Sequence, residues 1–306
     1  MKLLITSNSF GSADTGVFEE LKEAGFEIQR NPYGRIMNED ELMELLSDKD
    51  AVILGTENLT DRVIDACRNL KVVSRYGVGC DHVDIESLKR HGIALEIARN
   101  ANSEAVADHA VAMMLSLAHN LPAADADFRR GVWKKRKGVD LFRSKVGIIG
   151  LGAIGRGVAR RVSGFQCEIY AFDQYYDESF MEEFHVRKAD IPSILQSCDF
   201  ISLHLPAVEA FRGLIGRETL RMMKDTAILV NTARAELVDK KAVLEALKEH
   251  RLGGYGADVF WDEPSTDAEL SECENTVLTP HMAAVTDGAV REMSRISAEN
   301  VLKHFR

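Results

Sequence analysis

The stretch Lys145–Asp173 constrains what this chain can fold into more than any other. Val146, Ile148 and Ile149 form a short apolar run that ends at Gly150, and Gly150–Gly155 read G-L-G-A-I-G. Ile154, Val158, Ala159 and Val162 then recur at helical spacing, with Arg156, Arg160 and Arg161 off that face. A second apolar run, Ile169–Phe172, ends on Asp173. Strand, glycine turn, helix and strand in this order predict parallel strands joined by a helical crossover.

The glycine spacing has a mechanical reading. Gly150 lets the chain turn tightly off the strand, Gly152 lets the backbone approach a pyrophosphate, and Gly155 lets the helix lie close on the sheet. The helix N-terminus offers free N–H groups and a positive dipole end to phosphates. Asp173 stands roughly 20 residues beyond the glycines, where a carboxylate accepts hydrogen bonds from ribose hydroxyls. A lone G-x-G-x-x-G is weak evidence, but here strand, helix, second strand and terminal acid agree on a dinucleotide site. The alternative is a glycine-rich turn in another α/β protein, with Asp173 capping a strand end. Gln174, Tyr175 and Tyr176 follow Asp173 with no Arg or Lys among them. A 2′-phosphate would meet negative charge there, so NAD is expected rather than NADP.

The 306 residues suffice for two ordinary domains. The net charge of −10 argues against nucleic acid or an anionic membrane as main partner, and an anionic substrate then needs a local cationic pocket. Cys67, Cys80, Cys167, Cys198 and Cys273 are scattered without a C-x-x-C, and read as reduced thiols in a cytoplasmic protein. Leu3–Thr6 is too short for a signal-peptide core, and no apolar run reaches spanning length. No metal is expected.

In chain order, strands are expected at Leu3–Thr6, Phe26–Gln29, Ala51–Leu54 and Val72–Ser74, alternating with helices at Val17–Ala24, Glu39–Leu46 and Asp61–Cys67. That alternation predicts a small parallel sheet with helices on both faces. Arg75-Tyr76-Gly77-Val78-Gly79-Cys80-Asp81 follows. Glycines directly after a buried strand put free amides at the ligand-binding edge, so Arg75 with the Val78 and Gly79 amides makes a carboxylate nest. An ordinary strand-to-helix turn is the alternative. Asn102 and Ser103 are placed to cap a long helix with Val106, Ala110, Met113, Met114 and Leu117 as its apolar stripe. A second helix starts at Pro122, and the basic run Lys134–Lys137 reads as a solvated loop. After the glycine motif, strands are expected at Asp199–Leu203, Ala227–Val230, Gly254–Val259 and Thr276–Leu278, each ending in polar residues, with a helix at Lys241–Glu249. The final helix, Gly288–His304, is expected to return to the first domain. The domains expected are therefore 1–98 with 285–306, for substrate, and 99–284, for cofactor.

Arg234, Glu263 and His281 stand at turns late in the second half. Taken singly they read as a surface ion-pair partner, a loop charge and a helix cap. Together, after a dinucleotide motif, they supply what hydride chemistry on a 2-hydroxy acid needs. A guanidinium holds a carboxylate in bidentate fashion, a His exchanges the hydroxyl proton, and a carboxylate orients and charges the His.

These residues also carry a resemblance. R-Y-G-V-G-C-D-H-V-D (Arg75–Asp84), G-L-G-A-I-G-R (Gly150–Arg156), N-T-A-R-A-E-L-V-D (Asn231–Asp239), A-D-V-F-W-D-E-P (Ala257–Pro264) and T-P-H-M-A-A (Thr279–Ala284) fall in order along the chain. With them the chain resembles the D-isomer specific 2-hydroxyacid dehydrogenase family over nearly its full length. Its first motif is most similar to the phosphoglycerate dehydrogenase branch, in which the residue matching Arg75 helps bind the anionic substrate. The fold expected is α/β with two doubly wound domains, a Rossmann NAD-binding domain and a smaller flavodoxin-like substrate domain. The resemblance implies that Arg234, Glu263 and His281 are catalytic. It implies contacts to NAD from Val78, Ala153, Ile154, Asp173, Pro206, Thr232 and Asp258, besides Gly150, Gly152 and Gly155. It further implies a homodimer through the cofactor domain with the helix from Ser103 at the interface.

The activity expected is reversible hydride transfer between NAD(H) and a small anionic 2-oxo or 2-hydroxy acid, such as 3-phosphoglycerate. A hydroxypyruvate or glyoxylate reductase is the nearest alternative, and an NAD-sensing protein similar to the corepressors of this superfamily is an alternative of another class. A formate-type site would carry Gln just before the His, where this chain has Pro280. Because the chain ends at Arg306, feedback by serine through a C-terminal regulatory domain is not expected. Departures from the family pattern are Tyr76, His82, Asp108, Val208, Phe211, Ala235, Ala283 and Ala284.

Overall fold

The computed structural model describes residues 1–264 and 266–305, and the chain divides into two compact units, Met1–Asn102 with Ala284–Arg306, and Ser103–Ala283. The first unit holds strands β1 (Lys2–Ile5), β2 (Glu27–Arg30), β3 (Ala51–Leu54), β4 (Val72–Arg75) and β5 (Ala94–Ile97). All pair in parallel, in the order β2-β1-β3-β4-β5. This is the flavodoxin-type order, with the chain reversing direction across the sheet at β1 and β3. Helices α1 (Gly16–Glu23), α2 (Glu39–Leu46), α3 (Asp61–Asp65) and α4 (Ile85–Arg90) connect them. The C-terminal helix Asp287–Leu302 returns to pack on β3, β4 and β5.

The second unit is a seven-stranded parallel sheet. Its strands are β6 (Lys145–Ile149), β7 (Glu168–Phe172), β8 (Val186–Lys188), β9 (Phe200–Leu203), β10 (Ile228–Asn231), β11 (Gly254–Ala257) and β12 (Thr276–Leu278). They lie in the order β12-β11-β10-β9-β6-β7-β8. Its helices are α5 (Ser103–Ala118), α6 (Leu121–Arg129), α7 (Ala153–Ser163), α8 (Glu178–Glu183), α9 (Ile191–Ser197), α10 (Arg217–Met222), α11 (Lys240–Lys248) and α12 (Ala268–Ser271). Counting within the unit, the order is that of the Rossmann sheet with one strand added at the edge.

Alternation along the strands divides the core in two. Ile149, Ile201, Leu203 and Leu229 face one layer with residues of α9, α10 and α11. Val146, Ile148, Phe200, Ile228 and Val230 face the other, with Ala107, Ala110, Met113 and Met114 of α5 and Val158, Ala159 and Val162 of α7. The methionine pair is therefore core. Helix starts are fixed locally: Asp84, Asp177, Asp190 and Asp239 each cap a helix by accepting an amide N–H from its first turn.

The sequence reading placed no strand at β5 or β8, both at sheet edges. β5 carries Glu96, which pairs with Lys303 and His304, and two of the three residues of β8 are charged. Charge on a short edge strand hides it from apolar patterning while discouraging edge-to-edge association. Among the described residues no helix is long and apolar enough to cross a membrane.

Candidate active site

The sheet of the second unit changes winding direction between β6 and β9, and ligands of such sheets bind outside the carboxyl ends of the strands at that point. The glycine turn leaves β6 there, and its glycines meet three different physical demands. Gly150 has φ +104°, and a Cβ on it would lie 2.6 Å from the carbonyl carbon and oxygen of His204. Gly155 lets α7 close onto the turn, since a Cβ would lie 2.0 Å from the Gly150 carbonyl oxygen. Gly152 is neither strained nor crowded, with φ −70° and no atom within 4 Å of where a Cβ would stand. It opens α7, whose first amides receive no side-chain cap. Open space in front of uncapped helical N–H groups suits a pyrophosphate.

The rest of the cofactor edge is consistent with this. Asp173 follows β7, where its carboxylate accepts the Leu151 N–H at 2.5 Å and the Tyr175 N–H at 3.1 Å. Ala153 and Ile154 form the first turn of α7, and Pro206 lies exposed beyond β9. Thr232, beyond β10, is buried, yet its Oγ1 has no hydrogen-bond partner among the described residues. A buried hydroxyl normally finds a partner, so this one is suited to a ligand's polar group. The uncapped helix, the open face of Gly152, the Asp173 carboxylate and the Thr232 hydroxyl together fit NAD. His204 nearby is neutral: burial pushes its imidazole down to about 3, and Nε2 lies 2.8 Å from Ser202 Oγ.

Arg234, Glu263 and His281 come from three successive strand ends. Asn231 closes β10 fully buried. Its Oδ1 accepts the Ala233 N–H at 3.1 Å and its Nδ2 donates to the Arg234 carbonyl at 2.8 Å, which pins the turn bearing Arg234. Asp258 follows β11, also buried. Its carboxylate accepts the Thr279 hydroxyl at 2.5 Å and the Met282 and Ala283 amides at 2.9 Å, so it holds the turn bearing His281. His109 of α5 reaches the same Thr279 hydroxyl at 2.9 Å.

His281 itself sits at φ +50°, a left-handed conformation uncommon for a side-chain-bearing residue. Its Nδ1 lies 2.7 Å from Glu263 Oε2, while Glu263 Oε1 accepts the Phe260 N–H at 2.8 Å. With Nδ1 held, Nε2 is the atom left to exchange a proton. The hydrogen bond that Nδ1 donates to Glu263 pushes the His281 imidazole above the ordinary histidine value of 6.5. Partial burial opposes this, the charges of Glu263 and Asp258 add to it, and the nearby Arg234 guanidinium opposes it. The site thus brings together an imidazole of raised pKa, a carboxylate in contact with it and a guanidinium.

In the first unit, Arg75 ends β4. Its Nε donates to the Gly79 carbonyl at 2.8 Å and its Nη1 to the carbonyls of Tyr76 at 2.5 Å and Leu54 at 3.4 Å. These bonds hold the loop that presents Val78, which is exposed. The Val78 and Gly79 amides donate to no acceptor among the described residues, as an anion nest requires. Tyr76 is buried, with its hydroxyl 3.3 Å from the Val290 carbonyl and from Ser294 Oγ.

Sequence reading did not single out Asn231, Thr279 or His109. Asn231 and Thr279 carried a signal, a small polar residue flanking an apolar run just before a functional turn. His109 carried none, because its partner is 170 residues away in the chain.

Comparison with known proteins agrees with this geometry. Residues 111–283 match the family described as D-isomer specific 2-hydroxyacid dehydrogenase, NAD binding domain. The D-3-phosphoglycerate dehydrogenase of Methanocaldococcus jannaschii is 38% identical over 275 residues, 88% of this chain and 52% of that protein. The chain thus spans about half the length of that relative. The glyoxylate reductase of Korarchaeum cryptofilum is 37% identical over 87% of this chain and 82% of that protein. A crystal structure of a Thermus thermophilus protein superposes with a TM-score of 0.90 at 31% identity, covering 99% of this chain and 96% of that one. Fold, family match and relatives of comparable length agree: the chain belongs to the D-isomer specific 2-hydroxyacid dehydrogenase family.

Proposed function

We propose that the chain is an NAD-dependent dehydrogenase that interconverts a small 2-oxo acid and its D-2-hydroxy acid. The observation that carries this is the 2.7 Å contact of His281 Nδ1 with Glu263, beside Arg234, at the carboxyl edge of a dinucleotide-type sheet. NAD, when bound, supplies or accepts the hydride at C2. The Arg234 guanidinium binds the substrate carboxylate and polarises the adjacent carbonyl. In the reductive direction His281 Nε2 gives a proton to the carbonyl oxygen, and in the oxidative direction it takes the proton back. Glu263 fixes the ring and favours its charged form. Gly150, Gly152, Ala153, Ile154, Gly155, Asp173, Pro206, Thr232 and Asp258 form the cofactor edge. Arg75, Val78 and Gly79 form an anion nest in the substrate-binding unit.

The same reading assigns residues 99–284, which take in the second unit, to the cofactor and residues 1–98 with 285–306 to the substrate. It includes a homodimer through the cofactor-binding unit. Exposed Leu121, Phe128, Val132, Trp133, Val139 and Phe142 support this, with Trp133 85% and Phe128 67% exposed. A cytoplasmic location accords with five free cysteines. The test is NADH oxidation with glyoxylate, hydroxypyruvate, 3-phosphohydroxypyruvate, pyruvate and bulkier 2-oxo acids. Turnover of at least one, abolished by Arg234→Ala with NADH binding kept, supports the reading. NADH binding without turnover of any of them overturns it in favour of a sensor.

A further inference from the structure

The carboxyl edge of the first unit's sheet carries a buried carboxylate that the proposed chemistry does not use. Glu57 lies three residues beyond β3 and is 3% exposed. Its Oε2 accepts the hydroxyl of Thr6 at 2.5 Å, and Thr6, just beyond β1 and 1% exposed, accepts the Gly55 N–H on the same oxygen at 2.7 Å. The second Glu57 oxygen accepts no hydrogen bond among the described residues. The sheet changes winding direction between β1 and β3, so Glu57 stands at the switch point of this unit.

The same edge holds the proposed anion nest. Leu59, two residues past Glu57, donates its N–H to the His82 carbonyl at 2.8 Å and bridges Val83, joining the Glu57 loop to the segment after Val78 and Gly79. The two arginines that end β4 and β2 donate to backbone carbonyls. Arg75 donates to carbonyls of its own loop and to Leu54, while Arg30 lies over the Phe18 ring at 5.4 Å and donates to the Asn8 carbonyl. The proposed nest for a carboxylate therefore shares its sheet edge with a fixed, buried carboxylate. A substrate with a second anionic group at its far end meets repulsion that low local polarity strengthens.

We infer that Glu57 is a specificity-determining residue that selects unphosphorylated, singly charged 2-oxo acids over phosphorylated ones. The inference rests on the dehydrogenase reading above and narrows its substrate class. The test measures kcat/KM for hydroxypyruvate and 3-phosphohydroxypyruvate in wild type and in Glu57→Gln. The amide oxygen of the variant still accepts the Thr6 hydroxyl, so the loop is kept while the charge is removed. Wild type is expected to prefer hydroxypyruvate by at least about tenfold, and the variant to narrow that ratio by about tenfold, with hydroxypyruvate turnover changed less than about threefold. A wild-type preference for the phosphorylated acid overturns the inference whether or not the variant folds. So does an unchanged ratio in a variant with wild-type NADH binding. Absence of turnover with either acid and the rest of the panel instead overturns the dehydrogenase reading.

Discussion

Gly152 and Gly155 stand three residues apart in one motif, yet substituting each with alanine should have opposite consequences. In Gly155→Ala the new methyl would lie 2.0 Å from the Gly150 carbonyl oxygen and 3.2 Å from Ile148 Cγ2. The first neighbour is backbone, so α7 must move away from the β6 turn by more than 1 Å, relative to ordinary carbon–oxygen contact at about 3.3 Å. Overpacking of a close-fitted core costs about 1–3 kcal/mol, and a backbone clash belongs at the upper end, about 3 kcal/mol. For a unit of this size that lowers Tm by about 6–12 °C. In Gly152→Ala the methyl meets nothing within 4 Å, and φ −70° suits any residue. Alanine is a poorer helix cap than glycine, but it lowers unfolded-chain entropy, and the two effects leave stability within about 1 kcal/mol. The methyl does project into the space proposed for the pyrophosphate, so NADH should bind at least about tenfold more weakly, or about 1.4 kcal/mol. Thermal unfolding without cofactor and fluorescence titration with NADH measure the two effects separately. A Gly155→Ala protein with wild-type Tm would refute the packing argument. Gly152→Ala binding NADH as wild type does would refute the assignment of the open face to the cofactor.

The raised pKa of His281 makes a signed prediction. Reduction needs the imidazolium, so its rate should hold at low pH and fall as pH rises through a pKa above the ordinary 6.5. In Glu263→Gln that falling limb should move to lower pH, as a pH–rate profile of kcat/KM reads directly; an unmoved limb would separate Glu263 from the proton step. Asn231→Ala leaves the Ala233 amide and the Arg234 carbonyl without their buried partner. It should cost about 1–3 kcal/mol in denaturant unfolding and lower kcat/KM, with NADH affinity little changed. Asp173→Ala should weaken NADH binding and reduce discrimination against NADPH, because the carboxylate facing a 2′-phosphate is gone; calorimetric titration with both cofactors is the measure.

Much of this molecule was legible before any coordinates. Apolar runs of four or five residues alternating with 3.6-residue periodicity dictate parallel strands and covering helices, and they located β1, β3, β4, β6, β7, β9 and β10 to within a residue or two. The motif Gly150–Gly155 carried its own mechanics, because backbone conformation and close approach are properties of glycine itself. Arg234, Glu263 and His281 were recognisable as residue types at strand ends. The edge strands β5 and β8 were not legible, because charge interrupts their apolar pattern. Glu96 in β5 finds its partners more than 200 residues away at His304 and Lys303.

What the sequence determined by itself was local: which segments are strands, where the chain turns without a side chain, and which chemical groups stand at the turns. Tertiary structure decided what those groups do to one another. The pairing of Glu263 with His281, the hold of Asp258 on the His281 turn and the burial of Glu57 against Thr6 join residues from different strand ends, and His109 reaches Thr279 from helix α5. Such contacts depend on strand order and register, which arise only when the sheet assembles. Hydrogen bonding and charge act over a few ångströms of space, and the distance along the chain does not enter.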